Sequence, residues 1–140
     1  MQYVFFGSGP VAVESFKTLR TIFNFKYVVT KSTTVHFFKP LITDEELVLA
    51  DKKSDVDVFT ATNISGKNIG ILIDFGVIIS AQSIDAFSHG IVNSHFSLLP
   101  KLRGADPITY AILEGHSETG VSLMAVDPGM DTGDILAQTI

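Results

Sequence analysis

Asn93 and His95 stand two residues apart at the end of a short apolar run, Gly90-Ile91-Val92, and are followed by Ser97-Leu98-Leu99-Pro100 and Arg103-Gly104. If the β-branched run closes a buried strand, residues two apart share a face, so an amide donor and an imidazole that titrates near neutrality point the same way. Pro100 ends strand pairing, and the polar Lys101-Leu102-Arg103-Gly104 turn places both groups at the carboxyl end of a sheet, where open α/β folds take ligands. Taken alone, a histidine at a strand end serves as readily as a hydrogen-bonded structural residue. A second segment, Val126 to Leu136, adds weight to the chemical reading: Asp127, Asp131 and Asp134 crowd one turn with Gly129 and Gly133 between two apolar runs. Turn formation and capping account for Asp127 and Asp134 individually, but not for the whole combination.

The elements that must carry these groups follow an α/β order. Gln2 to Phe6 reads as a buried strand. Gly7-Ser8-Gly9-Pro10 then turns into a helix with Ala12, Phe16, Leu19 and Phe23 at helical spacing. Phe25 to Thr30 is a second strand. Thr43-Asp44-Glu45-Glu46, with a capping residue and first-turn acids, predicts a helix continuing through Leu47, Leu49 and Ala50. Asp57 to Ala61 reads as a third strand and Ile69 to Phe75 as a fourth, with a helical turn at Ile84 to Phe87 before the Asn93 strand. Asp106 can cap a helix that Pro107 starts, with Ile108, Ala111 and Ile112 inward and Gly115 as its stop. Strands at Gly120 to Val126 and Asp134 to Ile140 complete the order. The seven residues Thr62 to Asn68 are too few for a crossover helix between the third and fourth strands, so one face of the sheet is expected to be thinned.

With 140 residues, 46% of them hydrophobic, the chain can bury one core, and one domain is expected. No cysteine is present, which removes disulfides, thiolate catalysis and Cys-based zinc sites and fits a reducing compartment. No apolar stretch approaches a membrane span and Met1-Gln2 lacks the basic head of a secretory signal, so a cytoplasmic location is the default expectation. The formal charge is -5. Eight of the ten Lys and Arg lie before residue 91, whereas the last fifty residues hold Lys101 and Arg103 against six acids. Long-range steering of a nucleic acid is therefore not expected, and the scattered lysines read as solvated surface.

Several ordered blocks resemble the folate-dependent formyltransferases, most closely the branch that formylates methionyl-tRNA. Val4 to Val13 is similar to the opening strand and turn, Asn93 to Pro100 to the catalytic strand with its Ser-Leu-Leu-Pro signature, and Arg103-Gly104 with Pro107-Ile108 continues it. Thr119 to Met124 and Asp127 to Leu136 resemble the last two strands and the acid-bearing loop. The likeness runs from about Gly70 to Gln138 and over the first twenty residues, and is weak from Lys31 to Asn68. It implies a Rossmann-like, mostly parallel twisted sheet with flanking helices, and residues 1–140 as a truncated catalytic domain without the carboxyl-terminal barrel.

The resemblance also implies a chemistry: formyl transfer from 10-formyltetrahydrofolate to the amino group of charged initiator tRNA, without a metal. Asn93 would bind the oxyanion, His95 would stabilise it or relay a proton, and Asp131 would complete the pair. Phe75, Gly76, Val77 and Ile78 would line the pterin pocket, shaped further by Ser97, Leu98, Leu99, Pro100 and Asp127. For the Phe75 segment, ordinary core packing remains an alternative. Gly7, Ser8 and Gly9 would offer N–H groups to a phosphate or acceptor end, or simply bend the chain. Arg103 would contact substrate or anchor its loop. Relatives have a small residue where this chain has Asp74, and His36, His89 and His116 carry no partner pattern. Sibling enzymes differing in their acceptor, such as a sugar nucleotide, glycinamide ribonucleotide or a formyl-folate hydrolase-like reaction, would share the site. So would a degenerate folate-binding or interaction domain whose exposed sheet surface pairs with another copy.

Overall fold

The computed structural model describes residues 1–140. Seven strands form one sheet: β1 (Gln2–Phe6), β2 (Phe25–Thr30), β3 (Leu47–Leu49), β4 (Asn68–Ile73), β5 (Ile91–His95), β6 (Val121–Ala125) and β7 (Ile135–Thr139). Their order is β3-β2-β1-β4-β5-β6-β7. The first five are mutually parallel, and β6 and β7 add on antiparallel. Five helices connect them, α1 (Pro10–Leu19), α2 (Val35–Phe38), α3 (Lys53–Asn63), α4 (Ala81–Asp85) and α5 (Pro107–Leu113), with a 3-10 turn at Lys39–Leu41. The expected Rossmann-like, mostly parallel architecture is present. No helix is long and apolar enough to cross a membrane.

Alternation along β1 fixes the two layers. Val4 and Phe6 face one side of the sheet and pack with Val29, Val56, Phe59, Phe75 and Phe87, while Phe5 faces the other with Ala12, Phe16, Phe25 and Phe38. Phe6 meets the rings of Phe59, Phe75 and Phe87 at centroid distances of 6.5, 5.6 and 5.9 Å, in edge-on geometries favoured by aromatic quadrupoles.

Three sequence expectations fail in the middle of the chain. Thr43 to Glu46 forms a turn rather than a helix, closed by the Thr43 N–H donating to the Glu46 carboxylate at 2.7 Å. Leu47 to Leu49 then pairs with the open edge of β2, because that edge offers ladder partners a short helix would forgo: Val28 N–H donates to Glu46 and Ala50 N–H to Thr30. The expected strand at Asp57 to Ala61 lies inside α3. Val56, Phe59 and Thr60 recur at helical spacing and are buried, whereas Val58 is exposed. Asp55 caps this helix, accepting from the backbone N–H groups of Asp51 and Lys52 at 3.0 and 3.1 Å. The crossover between β3 and β4 is therefore α3 itself, and Thr62 to Asn68 needs no helix of its own; that face is covered.

Smaller differences concern ends and faces. Phe23 follows α1 rather than belonging to it, and β4 stops at Ile73 rather than Phe75. Asp106 caps α5 as expected, accepting from Thr109 N–H at 3.3 Å, and Ala111 is buried. Ile108 and Ile112, expected inward, are 47% and 75% exposed, since nothing packs over the outer side of this short helix. Beside α3, the Ser80 and Ser83 hydroxyls both donate to Asp57, which ties α4 down and holds that carboxyl below its ordinary range.

Candidate active site

β5 delivers Asn93 and His95 to the carboxyl end of the parallel strands. Antiparallel pairing sets Asn93 opposite Met124 and His95 opposite Ser122. His95 is 6% exposed and its Nε2–H donates to the carbonyl of Leu102 at 2.9 Å. Because a carbonyl only accepts, that contact fixes the Nε2 proton and turns Nδ1 toward Asp131, whose Oδ1 is 3.7 Å away. The other carboxylate oxygen of Asp131 accepts from Gly104 N–H at 2.7 Å. Residues 102 to 104 thus orient both members of the pair at once.

Backbone conformation makes this possible. Leu102 and Asp131 adopt φ of 55° and 52°, left-handed values that cost a leucine more than an aspartate. Buried hydroxyls hold the loop. Ser97 Oγ donates to Lys101 O at 2.6 Å, Ser122 Oγ donates to Ser97 O at 2.6 Å, and Leu99 N–H donates back to Ser122 Oγ at 3.0 Å. Gln138, on β7, adds its side-chain amide to Leu99 O and Ser122 Oγ at 3.0 and 2.8 Å. At the far end of the acid loop, Gly133 lies where a Cβ would sit 1.7 Å from Ala125 O, so only glycine lets the loop close onto β6.

A cavity of about 270 Å³ opens beside the pair. Asn93 and Asp131 form its polar end, and Leu72, Val77, Ile78, Ile79, Met124, Val126 and Met130 supply apolar walls. This combination of mostly apolar lining with a few convergent polar groups suits a flat heteroaromatic ligand presented to a reacting end. Asp127, also on its rim, accepts from Gly129 N–H and Thr132 Oγ1 at 2.9 and 2.6 Å and so braces the loop that carries Asp131.

Of the residues singled out in the sequence, Asn93, Asp131, Val77, Ile78 and Asp127 line this cavity, and His95 adjoins it through its contact with Asp131. Others do not line the cavity. Phe75 is 1% exposed and packs on Phe6 in the core, the ordinary-packing alternative, while Gly76 serves as a left-handed turn at φ 69°. Ser97 and Leu99 are buried, Leu98 faces a separate hollow with His116, and Pro100 is exposed. Arg103 is exposed and lines a different hollow with Tyr110 and Glu114. His116 has a partner after all, Glu114 at 2.9 Å, and His89 meets Ser88 at 2.9 Å. No group of three or more His, Asp or Glu side chains converges as metal ligands.

The turn Gly7-Ser8-Gly9 has no open donors. Gly7 N–H donates to Val29 O, and the N–H groups of Ser8 and Gly9 both donate to Asp74 O. Asp74 follows β4 at φ 50°, and burial raises its carboxyl above the ordinary range, opposed by the Val11 amide. Sequence reasoning missed the Leu102 carbonyl, the Gly104 amide, and Ser122 and Gln138 as loop holders. No local pattern in the sequence pointed to any of these.

Residues 26–140 match the formyl transferase family. The chain belongs to that family. A methionyl-tRNA formyltransferase of Sorangium cellulosum is 34% identical over 148 residues, covering 98% of this formyl transferase chain and 48% of its own length. One from Finegoldia magna is 42% identical over 93 residues, 59% of this chain and 30% of its own. The chain therefore spans half or less of the length of these relatives. Among solved structures, the phosphoribosylglycinamide formyltransferase of Streptococcus pneumoniae superposes with a TM-score of 0.77 at 23% identity, over 99% of this chain and 80% of that one, which establishes the shared fold.

Proposed function

We propose that this chain is the catalytic domain of a folate-dependent formyltransferase that passes the formyl group of 10-formyltetrahydrofolate to the amino group of methionyl-tRNA. The observation that carries the reading is the placement of Asn93 and Asp131 at the polar end of one apolar cavity, with His95 held between Asp131 and the Leu102 carbonyl. The acceptor nitrogen attacks the formyl carbon, forming a C–N bond and an oxyanion. The Asn93 amide donates to that oxyanion, and His95 stabilises the same charge. Asp131, directly or through water, takes the proton that the attacking amine must lose. Collapse breaks the bond to the folate nitrogen, which leaves with a proton, and a formamide and tetrahydrofolate result. The apolar walls around Val77, Ile78 and Met124 suit the pterin faces.

The methionyl-tRNA acceptor rests on the curated relatives, which carry that name over nearly the whole of this chain at 34% identity. Purified protein supplied with 10-formyltetrahydrofolate and charged initiator tRNA is expected to yield formyl-methionine. Strong salt dependence should accompany tRNA use, since phosphate contacts release counterions; a flat response with a small amine as the better acceptor would overturn the acceptor. His95→Ala should reduce transfer roughly 100-fold or more while folate affinity changes little. Equal losses in both would remove His95 from the chemistry.

A further inference from the structure

Besides the single-turn α2, four helices begin after the parallel strands, and their starts are satisfied from within the chain. The Ser80 hydroxyl caps α4 and the Asp106 carboxylate caps α5, while Asp55 caps α3 from inside its first turn. α1 is different. Its first residue is Pro10, its cap position is Gly9, and Gly9 has no side chain to offer. A helix start with glycine at the cap and nearby main-chain amides is the arrangement that takes a phosphate in many folds. Here it is filled from sixty-five residues away. The Asp74 carboxylate packs directly on the Cα of Gly9, so closely that a Cβ there would lie 1.7 Å from Asp74 Oδ2. The Asp74 carbonyl takes the N–H groups of Ser8 and Gly9 at 2.9 Å each. Ile73, the last residue of β4, pairs with Ser94, so Asp74 follows its strand beside the strand end that carries His95. A negative group already occupies the anion seat at the edge of the catalytic cleft, and a second one would meet both its volume and its charge.

We propose that Asp74 is a specificity-determining residue: its carboxylate takes the seat at the start of α1 and bars acceptors that would place a phosphate there, leaving the cleft to amines whose docked part carries none at that point. The inference rests on the formyl-transfer reading for its meaning but not for its test. Asp74 combines a left-handed φ with a carboxylate that reaches Gly9. Glycine adopts that backbone without strain and removes the carboxylate from the Val11 amide while the carbonyl of residue 74 keeps the Ser8 and Gly9 N–H groups, whereas asparagine keeps the volume and removes the charge.

The test is a titration of the folded chain with inorganic phosphate, followed at the backbone amides of Val11 and Ala12 by NMR. The natural chain should show no saturable shift at these amides. Asp74→Gly should bind phosphate at least about tenfold more tightly, with Asp74→Asn between the two. If Asp74→Gly fails to fold, the order of the natural chain and Asp74→Asn decides the matter alone. Phosphate bound at Val11 and Ala12 as tightly by the natural chain as by the variants would overturn the proposal, and so would folded variants that gain nothing. A parallel transfer assay with glycinamide ribonucleotide should show a gain in kcat/KM for Asp74→Gly over the natural chain. Absence of transfer to any amine, with the phosphate titration as expected, overturns the formyl-transfer reading and leaves the anion exclusion standing.

Discussion

The two halves of the sheet are built differently. Around β1 and β2 the sheet is covered on both faces, and Val4, Phe5, Phe6 and Val29 are wholly inaccessible. From β6 to β7 coverage thins: Leu123, Ile135 and Leu136 are 42%, 45% and 57% exposed, and every residue of β7 counts as exposed. Between them lies β5, with Asn93 and His95. The candidate pair is therefore half anchored, since His95 rises from the well-packed side while Asp131 hangs on a loop of the open side. That loop is braced by hydrogen bonds, with Asp127 accepting from Gly129 N–H and Thr132 Oγ1 and Asp131 accepting from Gly104 N–H, while Ser122 and Gln138 of the open half hold the facing loop at Ser97 and Leu99.

Substitutions can break or sharpen this contrast. The largest loss is expected in the covered half, where Phe6→Ala removes a ring packed against three others and should cost about 3–5 kcal/mol by urea unfolding. In the open half, Ser122→Ala leaves the Ser97 carbonyl and Leu99 N–H without partners, at about 1–3 kcal/mol. Hydrogen exchange should then quicken at Leu99 while β1 and β4 keep their protection; uniform quickening would show that the halves act as one unit.

A smaller effect is expected from Asp74→Asn, read as stability against pH. Burial raises the native carboxyl above its unfolded value, so folding takes up a proton there. The stability this brings is full below the unfolded value and is lost as pH rises through the native one. The variant should thus gain on the natural chain between about pH 3 and neutrality, and a constant difference would mean that Asp74 does not titrate differently on folding. Smallest of all, Leu136→Lys on β7 should shift stability by no more than about 0.5 kcal/mol.

Legibility from sequence followed the same divide between local and distant causes. Strands β1, β2 and β5 to β7 carry their own apolar, β-branched signal and could be drawn nearly to the residue. The stretch from Thr43 to Asn63 could not. Its acids suggest a helix start at Thr43, yet the open edge of β2 recruits Leu47 to Leu49 as a strand, a demand no local pattern encodes. Val56, Phe59 and Thr60 fit a helix, but Val58, Phe59 and Thr60 taken alone are residue types that favour strands. Within the site, Asn93, His95 and Asp131 were legible because side-chain chemistry announces itself. Leu102 was not, because its contribution is a main-chain carbonyl aimed by a left-handed φ, and leucine gives no notice of such a turn.

The antiparallel return of β6 also bears on how the chain assembles. β5 can join β4 as soon as residue 95 is available, but its other edge stays unpaired until Val121 to Ala125 comes back across twenty-five intervening residues. In that interval Ile91 and Val92 lie on an open, apolar edge, the kind that another unfinished chain can extend. The hairpin of β6 and β7 is local and closes quickly once made, so its docking, rather than its formation, is the step expected to end this exposure. The same strand that completes the cleft behind His95 thus acts during folding as the cover for its most adhesive edge.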